Sequence, residues 1–157
     1  MKARLDWVRI APAAVKAMLG LEAYNRQSGL DPRLLALVKT RASQINGCAR
    51  CLDMHAREAR EAGETEQRLY VLDAWSESPL YSERERAALA WTEALTLVSQ
   101  THVPDAVFDE ARQQFSEEEL VNLTLAVVAI NGWNRFNVAF RMVPPVRDAP
   151  AKLARAG

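Results

Sequence analysis

Apolar residues recur along this chain at the three- and four-residue spacing of helices for most of its length. Residues 12–28 carry Val15, Met18, Leu19 and Leu21 and stop before Gly29. Asp31-Pro32 reads as a cap followed by proline at the first helical position. The segment that follows, 32–45, sets Leu34, Leu35, Leu37, Val38, Ala42 and Ile45 along one broad face. Asn46-Gly47 breaks it. A third helix is predicted from about Cys48 to Ala62, stopping at Gly63, and a short fourth over 66–75. Ser82–Glu85 and Ser116–Glu119 both have the spacing of a capping box, opening a fifth helix to about Ser99 and a seventh from Glu117. Pro104 starts a sixth between them, to Phe115. The seventh is apolar nearly all round, through Leu120, Val121, Leu123, Leu125, Val127, Val128 and Ile130, which predicts burial in a core or between subunits. The fold class expected is all-α, a bundle of about seven helices. It is expected to be one domain over 1–157, with its core at about 10–143. Pro144, Pro145 and Pro150 predict an extended or disordered arm over 144–157.

Composition narrows the function. With 157 residues, 49% of them hydrophobic and 25% charged, the chain suits one globular domain. Its 20 Lys and Arg balance 20 Asp and Glu, so no overall charge draws it to nucleic acid or an anionic membrane. Six glycines and seven prolines are few for a turn-rich β-sandwich. Asp6 and Arg9 interrupt the first stretch before a signal peptide pattern develops, and the longest apolar run, 120–130, falls short of the roughly 20 residues of a membrane span. A cytoplasmic protein with no membrane and no nucleic-acid partner is expected. The two cysteines, Cys48 and Cys51, do not make a secreted disulfide framework.

Those cysteines open the third predicted helix in the string Cys48-Ala49-Arg50-Cys51-Leu52-Asp53-Met54-His55. Two thiols three residues apart share a face of a first helical turn and can close a small disulfide. The free N–H groups and partial positive charge of a helix N-terminus favour thiolate over thiol. His55 follows Cys51 by four residues and Cys48 by seven, so all three fall on one stripe, where an imidazole can take or return a thiol proton. Arg50 adds positive charge off that stripe. Three uses compete. Structural zinc needs four ligands, and the chain has two Cys and two His, with His102 remote. Two buried cysteines with a satisfied histidine are the bland alternative. A redox dithiol assisted by histidine uses every feature, provided the stripe forms an edge that a small oxidant can reach.

The run from Leu37 to His55, with Ser43-Gln44-Ile45-Asn46-Gly47 ahead of the cysteines, resembles the carboxymuconolactone decarboxylase family in its AhpD-like alkylhydroperoxidase branch. Residues 63–75, 83–97 and 129–141 resemble it too, so the likeness covers roughly 10–143. It implies an AhpD-like helical bundle, a homo-oligomer (trimer or hexamer), and thiol peroxidase activity. By motif position Cys51 would be the peroxidatic cysteine, Cys48 its resolving partner and proton donor, and His55 part of the proton relay. The substrate would be a hydroperoxide, and the reductant a dithiol or lipoyl-type protein. No bound cofactor or metal is called for. The wider family also contains a lactone decarboxylase, which has no use for two cysteines, and a non-catalytic redox-sensing oligomer is a third possibility.

Two positions depart from the branch. Ala36 stands where its motif places a glutamate, and Arg50 stands where its motif places a histidine between the cysteines. Glu93, set among Ala88, Leu89, Ala90, Trp91, Ala94 and Leu95, is the candidate replacement carboxylate for His55, with a solvent-facing role as the alternative. Glu58 is also within reach of His55 but is expected to be solvated. Asn131, Asn134, Arg135 and Asn137 are expected to satisfy polar groups at a helix end or an interface. The tryptophans are expected to be core or interface anchors, and Met18 and Met54 core filler.

Overall fold

The caps read from the sequence are made. Asp31 accepts a hydrogen bond from the backbone N–H of Arg33 at 2.8 Å. Ser82 with Glu85, and Ser116 with Glu119, each close a reciprocal capping box. The computed structural model describes residues 2–147. Its helices are α1 (Trp7–Ile10), α2 (Pro12–Gln27), α3 (Pro32–Ile45), α4 (Ala49–Glu61), α5 (Glu66–Tyr70), α6 (Glu83–Thr96), α7 (Val98–Thr101), α8 (Asp105–Gln114) and α9 (Glu117–Ala139), with a 3₁₀ segment at Leu72–Glu77. There is no strand among the described residues, so the fold is all-α as expected. Of the expected arm, 144–147 lack regular structure and 148–157 lie outside the described residues.

Two expected helices need correction, and one further helix appears. The helix expected over 66–75 stops at Tyr70 and resumes as the 3₁₀ segment, which kinks at Ala74 (φ −112°, ψ 33°). The Arg86 guanidinium holds that segment by donating to the carbonyls of Trp75, Ser76 and Ser78. The helix expected to reach Ser99 breaks at Leu97 into α6 and α7, and Thr101 Oγ1 donates back to the Ala94 carbonyl at 2.7 Å. The single turn α1, absent from the sequence reading, docks on the end of α9: Trp7 stacks on Phe136 with centroids 4.4 Å apart.

The core lies where α3, α6, α8 and α9 meet. Leu34, Val38, Ala88, Trp91, Ala111, Leu123 and Val127 are buried together there. Truncating Leu123, which is fully buried, to alanine would cost about 2–5 kcal/mol. α9 buries Leu120, Leu123, Val127 and Ile130, yet leaves Val121 and Val128 68% and 54% exposed. One line of the all-apolar helix is therefore uncovered in the single chain.

Candidate active site

The site begins at a helix-to-helix turn. Gly47 takes φ +64°, a left-handed conformation that a side chain disfavours. This lets α3 end in a Schellman motif: the Gly47 N–H donates to the Gln44 carbonyl and the Cys48 N–H to the Ser43 carbonyl at 3.0 Å. Cys48 is then the N-cap of α4, its Sγ accepting from the Cys51 N–H at 3.3 Å. The turn is tied to α9 by amides. Asn46 Nδ2 lies 2.9 Å from Asn134 Oδ1 and 3.0 Å from Asn131 Oδ1, and Asn134 donates to Ser43 Oγ at 3.1 Å. The asparagines of α9 thus satisfy polar groups across a helix junction, as expected.

Cys48 and Cys51 are joined as a disulfide. Both are buried, at 1% and 0% exposure, against Ala42, Ile130 and Trp133. This corrects the expectation of an open edge: the stripe that carries the sulfurs faces inward against α3 and α9. The two sulfurs have different neighbours. Cys48 Sγ has the helix N-terminus, while Cys51 Sγ accepts from Asn137 Nδ2 at 3.4 Å. A donor held against sulfur favours its anionic form once the disulfide is reduced.

His55 is 4% exposed, and its Nδ1 lies 2.7 Å from Glu58 Oε2. The His55 hydrogen bond, with Lys39 and Arg26 nearby, holds the Glu58 carboxyl below the ordinary carboxylate value, against the opposing effect of partial burial. An ionised carboxylate can only accept, so Nδ1 is the donor in this pair and Nε2 is the ring nitrogen left for another partner. Nε2 is buried and has no hydrogen-bond partner among the described residues. Glu93 is not the replacement carboxylate. Its Oε1 accepts from Arg41 Nε and Trp75 Nε1, each at 2.7 Å, and Asp73 also bonds Arg41. The carboxylate beside the imidazole is Glu58, which was expected to be solvated; its side chain is half exposed but paired.

A cavity of about 500 Å³ opens beside these groups, between α1, α2, α3, α4 and the end of α9. His55, Glu58, Asn137, Arg50 and Ala36 all line it. Asn137 therefore stands between the cavity and the Cys51 sulfur. Met54 lines the cavity and is 40% exposed, so it is not core filler. Met18 does fill space, pressing on Gly132 so closely that a Cβ there would meet its Cε at 2.8 Å. Residues of the site that the sequence reading missed are Glu22 and Lys39, an ion pair at 2.6 Å with both side chains largely buried, and Trp133, whose Nε1 donates to Glu22 at 3.1 Å. Their only sequence signal is charge on otherwise amphipathic helices, which does not reveal that α2, α3 and α9 converge.

A family model described as "Carboxymuconolactone decarboxylase family" matches residues 11–94, more than half of the chain. YdfG of Bacillus subtilis (strain 168), an uncharacterised protein, is 44% identical over 139 residues, covering 88% of this chain and 95% of that one. YnjA of Escherichia coli (strain K12), also uncharacterised, is 32% identical over 73% of this chain and 63% of its own. Among solved structures, ATU0492 of Agrobacterium tumefaciens, a protein of unknown function described as a candidate antioxidant defence protein AhpD, is similar at TM-score 0.91. It is 46% identical, covering 93% of this chain and 100% of that one. The debrominase Bmp8 shares the fold at TM-score 0.73 and 23% identity, over 90% of this chain and 75% of its own.

Proposed function

As this chain belongs to the carboxymuconolactone decarboxylase family, in its AhpD-like branch, we propose that it is a thiol peroxidase that reduces hydroperoxides through Cys51, Cys48 and His55. The fold and the bonded cysteine pair give it a thiol-redox role of the oxidoreductase, antioxidant kind. The observation that carries the step from there to a peroxidase is the unpartnered Nε2 of His55. A disulfide has no proton to offer it. After reduction, the Cys51 thiol four residues earlier on the same helical face has one, and Glu58 on Nδ1 leaves Nε2 free to accept it.

His55 takes the Cys51 proton, and the thiolate attacks the terminal oxygen of ROOH. The O–O bond breaks, Cys51 becomes a sulfenic acid, and the RO⁻ leaving group takes the proton back from His55 as alcohol. The Cys48 thiol displaces water from the sulfenic acid, forming the disulfide. A dithiol or lipoyl-type protein then restores both thiols by exchange and is itself oxidised. No cofactor or metal enters the cycle. The buried sulfurs require that the Asn137 side of the cavity yield for the oxidant to arrive. We take the working form to be a cytoplasmic homo-oligomer, trimer or hexamer, with the uncovered Val121–Val128 line of α9 as the contact between copies.

The test is a single turnover. Reduced protein mixed with one equivalent of an organic hydroperoxide should lose two thiols and yield one equivalent of alcohol. Cys51→Ser should yield no alcohol while keeping its helical content. Full alcohol yield from Cys51→Ser would overturn the assignment. Release of CO₂ from a carboxylated lactone, with hydroperoxide left unconsumed, would give the site to a decarboxylase. Disulfide formation without renewed turnover in the presence of dithiol would make it a redox sensor.

A further inference from the structure

The cavity is much larger than the proposed chemistry needs. A peroxide group occupies little more than a water molecule, whose share of liquid volume is about 30 Å³. About 500 Å³ is the size of pocket that encloses a whole organic ligand. Its walls are mostly apolar: Trp7, Leu19, Leu35, Met54, Trp133 and Met142. The ligand must therefore have an apolar body.

The charges on the same walls do not balance. Three cations, Arg26, Lys39 and Arg50, face two carboxylates, Glu22 and Glu58. Both carboxylates are occupied, Glu22 by Lys39 and the Trp133 indole, Glu58 by His55. Among the described residues Arg50 and Arg26 have no carboxylate within 4.0 Å and donate no side-chain hydrogen bond. Arg26 is exposed at the last turn of α2, within the electrostatic reach of Glu58. Arg50 is half-buried in the first turn of α4, next to Cys51. A partly desolvated guanidinium in an apolar wall, with no partner of its own, favours a carboxylate that can meet its planar fork.

We propose that the cavity binds an apolar acid, with a hydrocarbon or aryl body among the tryptophans and leucines and one carboxylate on Arg50. This rests on the peroxidase reading in one respect: the substrate would be a hydroperoxide of such an acid. Binding itself requires no turnover.

The disulfide form offers a direct test, because Trp7 and Trp133 line the cavity and report on its contents by fluorescence. The probes are decanoate, 1-decanol and decyltrimethylammonium, which share a body and differ in charge. Decanoate should bind at least about tenfold more tightly than decanol, the worth of one charge-assisted contact. Arg50→Gln should remove that preference while leaving decanol affinity unchanged. Ala36→Phe, which fills the cavity from α3, should weaken both. Equal affinity for decanoate and decanol, tightest binding of the cation, binding of no probe, or a preference that survives in Arg50→Gln would each overturn the proposal. A protein that prefers decanoate through Arg50 yet reduces no hydroperoxide would keep this inference and lose the peroxidase. Turnover without the preference would do the reverse.

Discussion

Two carboxylates in this molecule, Glu58 and Glu93, are each held 2.7 Å from a basic nitrogen, and they serve opposite ends. Glu58 meets an imidazole three residues away on its own helix, in the wall of a cavity. Glu93 meets a guanidinium fifty-two residues away, with the Trp75 indole on the same oxygen and Asp73 on the same arginine. An imidazole can change its proton, whereas a guanidinium in a protein does not. The Glu58 pair can therefore take part in chemistry. The Glu93 cluster fastens α3, α6 and the 3₁₀ segment together.

Mutations should separate the two clearly. The largest effect among them is expected at the imidazole: His55→Phe should lower the rate of hydroperoxide reduction by about 10²–10⁴-fold, the usual worth of a positioned proton carrier, as read by stopped-flow mixing of the reduced protein. Glu58→Gln keeps the ring but removes the charge that fixes its tautomer, and a loss of roughly tenfold is expected. Its pH dependence has a definite sign. The folded Glu58 titrates below its ordinary value, so the pair's contribution to stability is fully present above that value. It is lost as the pH falls through the lower, folded value. Melting curves of wild type and Glu58→Gln should therefore converge in acid, and the gap at neutral pH should be small because Glu58 is half exposed. Asn137→Leu removes the donor on Cys51 Sγ and should move thiolate formation to higher pH, seen in the thiolate absorbance of the reduced protein. Glu93→Gln should have the smallest effect on turnover, leaving it unchanged. It should instead destabilise the fold by about 1–3 kcal/mol in urea, because Arg41 is largely buried and loses a charged partner. A Glu93→Gln enzyme as slow as Glu58→Gln would erase the distinction.

What could be read in the sequence follows the range of the interactions involved. Caps and breaks act over three or four residues, so Asp31 and Gly47 mark both ends of α3 correctly, and Ser82 and Ser116 the starts of α6 and α9. The Cys48, Cys51, His55 stripe is equally local and is present on α4. Its direction was not legible. Nothing in the spacing said that the stripe would turn inward under Ala42 and Ile130, because that depends on how α3 and α9 pack. The same limit misplaced Glu93. A glutamate in an apolar run demands a partner, and the sequence offers His55 or solvent; only the packing of α3 on α6 brings Arg41 to it. Glu58 reads as solvated because a carboxylate that stays half exposed gives no sign in the sequence of its pairing with His55. The cavity was invisible for the same reason, since α1, α2, α3, α4 and α9 each supply part of its wall.

The proton transfer proposed between Cys51 and His55 can be tested without any peroxide. In a Cys48→Ser background a single thiol remains, and its alkylation rate by iodoacetamide across pH reports the thiolate directly. A thiolate should already be present well below the ordinary cysteine value of about 8.5, and should shift back toward that value when His55→Phe is added. An alkylation profile that is the same with and without the imidazole would contradict that proton transfer.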